Sequence, residues 1–197
     1  PQDKEAKVLD IGCGMGQFLS FLAREGYKNF LGVDLSPEAI DFCREKGIAK
    51  VKRIDDLKNF LQTAEMYDLI VLNDVIEHFP KQDIIPVLQM IHRKLNSGGT
   101  VIIKTGNLAS LAGPRIRYND FTHEVGFTEY SLNQVLQVAG FSAVEISSFR
   151  FPVNSLSRAI RFIGQKIQHA CWKLVFFWEY TQVPHIVDEL IGAVGKK

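Results

Sequence analysis

Residues 8 to 16 read Val-Leu-Asp-Ile-Gly-Cys-Gly-Met-Gly, and this stretch decides the fold class of the chain. An apolar run ends in glycines spaced G-x-G-x-G, which is typical of a buried strand that enters a tight turn close to a ligand. We predict a first strand over 7–11 and a helix over 17–25. Because such turns lie at the carboxyl end of the strands, where α/β folds bind ligands, the pattern predicts an α/β ligand-binding fold.

The third glycine distinguishes this turn from a dinucleotide site. The dinucleotide pattern is G-x-G-x-x-G, whereas here Gly16 comes one residue early and Gln17 takes the expected place. Asp10, two residues before Gly12, would repel a pyrophosphate but suits a ligand with an amino group and a cationic sulfur. The stretch resembles motif I of the class I methyltransferases that use S-adenosylmethionine.

Further segments match the same family in the same order. An apolar strand over 29–33 ends in Asp34, an acid placed to accept ribose hydroxyls, and Ser36-Pro37 then starts a helix. A strand over 50–54 precedes Asp55-Asp56, and the resemblance implies that one of these two acids accepts from the adenine amino group. A fourth strand over 66–73 runs into Asp-Val-Ile-Glu-His-Phe and resembles motif IV, and a turn over 95–99 leads into a fifth strand over 100–104.

The resemblance covers residues 7–149 and implies both a fold and a cofactor. The fold is a Rossmann-like, doubly wound, mostly parallel sheet in the order 3-2-1-4-5-7-6 between two layers of helices. The cofactor is S-adenosylmethionine, with S-adenosylhomocysteine as its product. The cofactor-binding residues that it implies are Asp10, Gly12, Cys13, Gly14, Gly16, Asp34, Leu35, Asp55, Asp56, Asn73 and Asp74.

The overall composition argues against nucleic acid as a partner. The 23 Lys and Arg against 22 Asp and Glu give a net charge of +1, which offers no bulk attraction to a phosphate backbone. The three cysteines share no close spacing, so neither a disulfide nor a zinc framework is indicated. No apolar run is long enough to span a bilayer. We expect a cytoplasmic methyltransferase domain over 1–197, excised from a longer chain because only six residues precede the first strand.

Two clusters could carry the chemistry at the acceptor, since a hydroxyl must lose its proton when it is methylated. The first is Asp74, Glu77 and His78, which would share one face of a helical turn after the fourth strand. The second lies in 118–124, where His123 is the most plausible general base because an unperturbed histidine titrates near neutral pH. We predict His123, Glu77 and His78 as the catalytic residues.

A bound metal ion is a weaker alternative for the same residues. An acid followed by Glu-His and a distant histidine resembles the metal-binding arrangement of ubiquinone-pathway and small-RNA O-methyltransferases. In that interpretation Asp74, Glu77, His78 and His123 would hold a divalent cation across vicinal hydroxyls. The first acid is Asp rather than Glu, and the loop that carries His123 does not otherwise match, so no metal site is predicted.

The segment around His123 also bears on the acceptor. Asp-Phe-Thr-His-Glu (120–124), with the helix that follows it, resembles methyltransferases that act on sugars in bacterial polysaccharide synthesis. Arg115 and Arg117 could bind a phosphate or carboxylate there, or could be solvated charges. We predict an O-methyltransferase that acts on a saccharide or saccharide-linked acceptor. The alternatives are a phenolic or quinone-precursor acceptor and a cofactor-binding module without activity.

The last third of the chain departs most from the family pattern. Strands are predicted over 141–149 and 189–196, and a helical stripe of apolar residues falls between them, within a predicted insertion at about 150–185. The basic, aromatic-rich segment 155–180 could lie on a membrane surface, pack on its own domain, form a homodimer, or cover the acceptor.

Overall fold

The computed structural model describes residues 2–149, 153–180 and 182–197. The strands are β1 (Val8–Ile11), β2 (Phe30–Asp34), β3 (Val51–Arg53), β4 (Tyr67–Asn73), β5 (Leu95–Gly106), β6 (Ser142–Ser148) and β7 (Leu190–Lys196). The helices are α1 (Gln17–Arg24), α2 (Pro37–Glu45), α3 (Leu57–Thr63), α4 (Lys81–Lys94), α5 (Gly113–Asn119), α6 (Glu129–Val138) and α7 (Leu156–Glu179), with a short 3₁₀ helix at Ile76–His78.

The seven strands form a sheet in the order β3-β2-β1-β4-β5-β7-β6, which confirms the order implied by the family resemblance. The first five strands in that order are parallel, and β7 lies antiparallel between β5 and β6. Because β1, β2, β4 and β5 are parallel and in register, the residues that follow them lie along one edge of the sheet. We call this the carboxyl edge.

Helices cover both faces of the sheet. Accordingly, alternate side chains of the central strands pack into different hydrophobic clusters. In β4, Ile70 and Leu72 pack in a cluster that includes residues of α4 and α6. Leu69 and Val71 enter another cluster with Leu22 of α1. The predicted three-layer arrangement is therefore confirmed.

Local sequence signals set several helix boundaries. The Ser36 side chain accepts from the Ala39 N–H at 3.1 Å and Pro37 begins α2, as predicted. Thr128 caps α6 in a reciprocal arrangement with Ser131.

Two connections differ from the sequence prediction. The turn predicted over 95–99 is part of β5, since Leu95 already pairs with Tyr67 and Gly98 takes a φ of 74° inside the strand. The connection after β5 contains α5, a helix that was not predicted from sequence. Residues 150–152 and 181 of the predicted insertion lie outside the described residues.

The long helix α7 occupies most of that insertion and packs loosely, with no buried residue. Trp172 Nε1 donates to the Ala109 carbonyl at 2.9 Å, and Lys173 Nζ donates to the His185 carbonyl at 2.6 Å. The apolar stripe of its outer face is largely exposed, and its members are Leu156, Ile160, Ile163, Ile167, Leu174 and Trp178. Among the described residues, no helix combines the length and the hydropathy that crossing a bilayer requires.

Candidate functional site

The glycine loop, residues 12–16, connects β1 to α1 at the carboxyl edge. Gly12, Gly14 and Gly16 have φ angles of 68°, 50° and 76°, which L side chains rarely adopt. A Cβ on Gly12 would lie 2.5 Å from Val75 Cγ2, whereas a Cβ on Gly14 would meet nothing within 4 Å. Gly12 therefore lets the loop pack against the turn after β4, and Gly14 borders open space that a ligand can fill.

Asp34, the last residue of β2, joins the glycine loop to the start of α2. Its Oδ2 accepts the Gly14 N–H at 2.8 Å, and its Oδ1 accepts the Ser36 N–H at 2.9 Å. These two bonds fix the orientation of the carboxylate, and each oxygen keeps a second lone pair. Asp34 therefore retains the acceptor capacity that the predicted ribose contact requires.

Asp10 lies in β1 just before the glycine loop and is 2% exposed. Its Oδ1 has no hydrogen-bond partner among the residues that the structure describes. Burial, and then the charge of Asp34, raises the pKa of Asp10 to about 7. Since a buried carboxylate is stabilised in its charged form by a nearby cation, Asp10 fits a ligand that carries an ammonium group.

Cys13 lies within the glycine loop, and Leu35 directly follows Asp34. Burial, followed by the charges of Asp10 and Asp34, raises the pKa of the Cys13 thiol to about 12, so this side chain remains a thiol and is not a nucleophile. The Cys13 N–H donates to the Val33 carbonyl at 3.1 Å and helps to shape the loop. The Leu35 side chain is 58% exposed and offers an apolar surface beside Asp34.

The two acids after β3 have different environments. Asp56 caps α3, and its Oδ1 accepts the Asn59 N–H at 2.7 Å. Asp55 is exposed and forms an ion pair with Arg53 at 3.3 Å. Asp55 is therefore the more accessible of the two residues for a contact with a ligand.

The end of β4 presents Asn73 and Asp74 at the carboxyl edge. Asp74 has a φ of 55°, and its carboxylate lies 2.5 Å from Lys104 Nζ. Asp74 thus pairs with the neighbouring strand β5 rather than with the histidine that follows it in sequence.

Glu77 is turned inward. It is 6% exposed, its Oε2 has no partner among the described residues, and the Thr105 hydroxyl donates to its carboxylate. Burial is the main cause of its raised pKa. Its backbone carbonyl accepts the N–H groups of Glu124 at 2.8 Å and Val125 at 3.1 Å, so Glu77 also anchors the loop that carries His123.

His78 and His123 come together at the carboxyl edge, with ring centroids 4.7 Å apart. Ligand atoms of these two side chains and of Asp120 all lie within 4.8 Å of one another. We call these three residues the His-Asp cluster. The set considered from sequence for a metal ion is not assembled, because Asp74 pairs with Lys104 and Glu77 with Thr105.

Hydrogen bonds fix the tautomers of both rings. His123 Nδ1 lies 3.0 Å from the Ile116 carbonyl, which can only accept, so Nδ1 carries the proton. The Thr122 hydroxyl donates to Asp120 at 2.7 Å and contacts His78 Nδ1 at 2.9 Å. Because that hydroxyl has a single proton, His78 Nδ1 must be the donor to it. In the neutral rings, both Nε2 atoms are therefore proton acceptors.

The loop around His123 is held by Arg117, which donates to the carbonyls of His123 and, at 2.9 Å, of Glu124. Arg117 therefore positions this loop with part of its guanidinium, and a contact between Arg117 and a ligand stays a prediction. Asp120 and Thr122 were not assigned a role from sequence. The Asp-x-Thr spacing, which favours a side-chain-to-backbone turn, is the signal that could have identified them, and the Thr122 N–H does donate to Asp120 at 2.9 Å.

Comparison with known proteins identifies the family of the chain. A family described as "Methyltransferase domain" matches residues 1–146. The chain is similar to a malonyl-[acyl-carrier protein] O-methyltransferase of Hamiltonella defensa, with 28% identity over 172 residues that cover 84% of this chain and 66% of that protein. It is also similar to a ubiquinone biosynthesis O-methyltransferase of Actinobacillus pleuropneumoniae, with 31% identity over 110 residues that cover 51% of this chain and 46% of that protein.

A solved structure shares the fold. The crystal structure of a SAM-dependent methyltransferase from Archaeoglobus fulgidus superposes with a TM-score of 0.74 at 24% identity, covering 98% of this chain and 86% of that one. The chain spans about half to two thirds of the length of the curated relatives described above.

Proposed function

The chain belongs to the methyltransferase-domain family, and from that premise we propose that it transfers a methyl group from S-adenosylmethionine to a hydroxyl of a small organic acceptor. The observation that carries this proposal is the buried carboxylate of Asp10, whose Oδ1 has no partner among the described residues, next to a loop of three glycines with positive φ. This combination provides a negative charge and open backbone at one point of the carboxyl edge. A cationic nucleoside fits there, whereas a pyrophosphate does not.

The donor half of the site would use residues at the ends of β1, β2, β3 and β4. When bound, S-adenosylmethionine supplies an electrophilic methyl group on a sulfonium. Asp10 would receive its ammonium group, Asp34 its ribose hydroxyls and Asp55 its adenine amino group. The remaining contacts that we propose are those of Gly12, Cys13, Gly14, Gly16, Leu35, Asp56, Asn73 and Asp74.

The acceptor half would use the His-Asp cluster. His123 Nε2 has a lone pair because Nδ1 is bound to the Ile116 carbonyl. An acceptor hydroxyl bound to Nε2 would give its proton to that atom as the new O–C bond forms and the bond between the methyl carbon and the donor's sulfur breaks. The second imidazole, His78, is oriented through Thr122 and supports His123 at the same edge. Glu77 would act by holding the loop, since its side chain is buried.

For the acceptor, the proposal specifies the reacting group, which is a hydroxyl. The ubiquinone biosynthesis O-methyltransferase described above supports a phenolic or quinone-precursor acceptor more than a saccharide. The saccharide acceptor predicted from the segment 120–124 therefore stays a prediction, and we give the phenolic class priority.

The second mechanism that the geometry favours uses a bound divalent cation, because two imidazoles and a carboxylate converge in the His-Asp cluster. In that case His78, Asp120 and His123 would hold the ion, which would lower the pKa of a bound hydroxyl. The Nε2 lone pairs of the two rings serve either mechanism, because the Nδ1 atoms are the ones bound by protein. The proton-transfer mechanism is preferred because the Thr122–Asp120 bond uses part of the carboxylate.

Isothermal titration of the chain with S-adenosylmethionine and S-adenosylhomocysteine tests the donor half. Binding of both at micromolar concentration is expected, and binding of neither would refute the proposal. Binding combined with no transfer to phenolic, quinone-precursor or saccharide acceptors would favour the module without activity.

A further inference from the structure

The outer face of α7 carries an apolar stripe whose spacing is that of a coiled coil. Along this face an apolar residue recurs at alternating intervals of four and three residues from 156 to 177. We call these residues the seam: Leu156, Ile160, Ile163, Ile167, Ala170, Leu174 and Phe177. The repeat places an apolar side chain at every a and d position of three consecutive heptads, which is the pattern with which helices pack along each other.

The opposite face of α7 is the one that contacts its own domain. The residues of this helix that are partly buried are Ala159, His169, Trp172, Lys173 and Phe176. None of them belongs to the seam. The hydrogen bonds of Trp172 to the Ala109 carbonyl and of Lys173 to the His185 carbonyl come from this inner face. At 3.6 residues per turn, the seam lies on the other side of the helix. Packing among the described residues therefore leaves the seam uncovered.

Every seam residue is exposed in the isolated chain. The six large seam side chains are 52–79% exposed, and α7 has no buried residue along its whole length. A contiguous apolar surface of this extent is uncommon on a monomer and marks an interaction site. Because most of the stability of a helix in a protein comes from packing of its apolar face, α7 is stabilised if a partner covers the seam.

A second copy of α7 offers enough apolar surface to form a stable interface. Each large apolar side chain has on the order of 100 Å² to bury, and an aromatic one has more. The six large seam side chains and Trp178 beside them, itself 78% exposed, would in two copies together remove on the order of 1,000 Å² from water. This matches the area of about 1,000 Å² that a specific interface requires.

The shape of the stripe favours a helix as the partner. The residues that flank the seam in its first two heptads are Ser157, Ala159, Gly164 and Lys166. An apolar stripe confined to the a and d positions is typical of a contact between two helices, whereas a helix that packs on an extended apolar surface has a wider stripe. The pattern therefore favours another helix over a lipid surface.

The charges beside the seam favour one relative orientation. Lys166 and Lys173 lie on one flank, at g positions. The other flank, at e positions, is uncharged and consists of Ser157, Gly164, Cys171 and Trp178. Like flanks meet in an antiparallel pair, which would bring the lysines of two copies together. Opposite flanks meet in a parallel pair, so each lysine would lie beside an uncharged residue.

We propose that two copies of this chain associate through the seam as a parallel, in-register pair of α7 helices, with one methyltransferase domain on each side. The proposal goes beyond the proposed function and does not depend on it. It uses no residue of the glycine loop or of the His-Asp cluster.

Sedimentation equilibrium of the 197-residue chain at micromolar concentration tests the association. A mass of twice 22.3 kDa is expected. Ile163→Lys places a charge in the seam and should weaken association by about 100-fold or more, because the charge would be buried without a partner. Since Ile163 is exposed in the isolated chain, this variant should keep its fold, which circular dichroism checks. Val138→Lys, which adds the same charge at an exposed residue of α6, is the matched control and should associate like wild type.

Disulfide cross-linking tests the orientation without introducing a charge. In a Cys171→Ser background, Ile160→Cys and Leu174→Cys each place one cysteine at an a position, near opposite ends of the seam. A parallel, in-register pair brings each cysteine close to its own counterpart, so both variants should form covalent dimers on mild oxidation. An antiparallel pair could bring only one of these two positions to its counterpart.

A monomeric mass at every concentration, equal association of wild type and Ile163→Lys, or cross-linking at only one of the two positions would each overturn the proposal. Flotation of the monomeric chain with phosphatidylglycerol vesicles, lost in Ile163→Lys, would also overturn it and would assign the seam to a lipid surface.

Discussion

The imidazole rings of His78 and His123 meet edge to face, with their centroids 4.7 Å apart and their planes at 68°. One ring follows β4 and the other lies in the loop after α5, and the Glu77 carbonyl ties the two segments together. Each ring has its Nδ1 bound by protein, so in the neutral rings each Nε2 carries a lone pair. This arrangement suits the removal of the proton of a single acceptor hydroxyl.

The substitution His123→Ala is expected to lower turnover by about 10²- to 10⁴-fold, because the acceptor then loses its base. Affinity for S-adenosylhomocysteine should remain unchanged, since the donor half lies on other strands. Initial rates and calorimetry on the same samples measure the two effects. His185→Ala is the matched control, because His185 is exposed and its carbonyl and N–H make its hydrogen bonds to Lys173 and Glu129. Unchanged turnover in His123→Ala would remove this residue from the role.

Chelation distinguishes the two mechanisms of the His-Asp cluster. Proton transfer to His123 requires no ion, so turnover should survive dialysis against EDTA. A loss of about tenfold or more that Mg²⁺ or Mn²⁺ restores would instead assign His78, Asp120 and His123 as metal ligands. Asp120→Asn would then reduce the affinity for the ion, as measured by titration of the metal alone.

Cofactor affinity should depend on the ionisation of Asp10. The pKa of Asp10 is about 7 in the ligand-free protein, and an ammonium-bearing ligand favours the charged carboxylate. Affinity for S-adenosylhomocysteine should therefore fall by up to about tenfold per pH unit below pH 7. In the Asp10→Asn variant this dependence on pH should be absent, and the affinity for S-adenosylhomocysteine should be low at every pH. Asp41→Asn, at an exposed carboxylate of α2, should keep the wild-type profile.

The same residue predicts how the stability of the ligand-free chain changes with pH. Because folding raises the pKa of Asp10 from 3.8 to about 7, the stabilisation from its protonated form is present below pH 4 and is lost as pH rises through 7. Asp10→Asn should thus gain stability relative to wild type between pH 4 and 7, by at most about 4 kcal/mol at 1.4 kcal/mol per pKa unit. Urea unfolding at several pH values measures this difference. Parallel profiles for the two proteins would contradict the burial of a titrating Asp10.

Alanine substitutions at Gly14 and Gly47 distinguish the effect of backbone strain from the effect of a contact with the ligand. Both have a positive φ, 50° and 79°, and a Cβ on either would meet nothing within 4 Å. Alanine at each position should cost about 1–2 kcal/mol of stability. Gly14→Ala should also lower affinity for S-adenosylhomocysteine by tenfold or more, because its Cβ enters the space beside Asp34, whereas Gly47→Ala should bind normally. Equal affinities in calorimetry would show that the space beside Gly14 is not the ligand site.

The positions of the proposed donor residues could be predicted from sequence because they lie at or just beyond the ends of strands with clear apolar runs. The position in its strand is enough to place each of these residues at the carboxyl edge, as for Asp10, Asp34 and Asn73. The extent of β5 could not be predicted, since Gly98 and Gly99 locally favour a turn. Pairing of Leu95 with Tyr67 across the sheet overrides that preference.

The acceptor cluster was only partly predictable because it depends on contacts between separate loops. His78 and His123 were selected individually, but the position of Asp120 beside them follows from α5 and from the bonds of Arg117 to the loop carbonyls. An arginine followed by a polar loop gives the same local signal whether it binds a ligand or the backbone.

The antiparallel position of β7 has a consequence for the order of events during synthesis. The edge strand β6 has β7 as its neighbour, yet some 40 residues, including all of α7, are made between them. At about 5–20 residues per second, the ribosome needs about 2–8 s to produce that stretch. Throughout this interval β6 and the outer side of β5 are without a partner strand, which is a state prone to aggregation. The sheet is therefore completed late, and the yield of folded chain should respond to translation rate and to chaperones that protect strand edges.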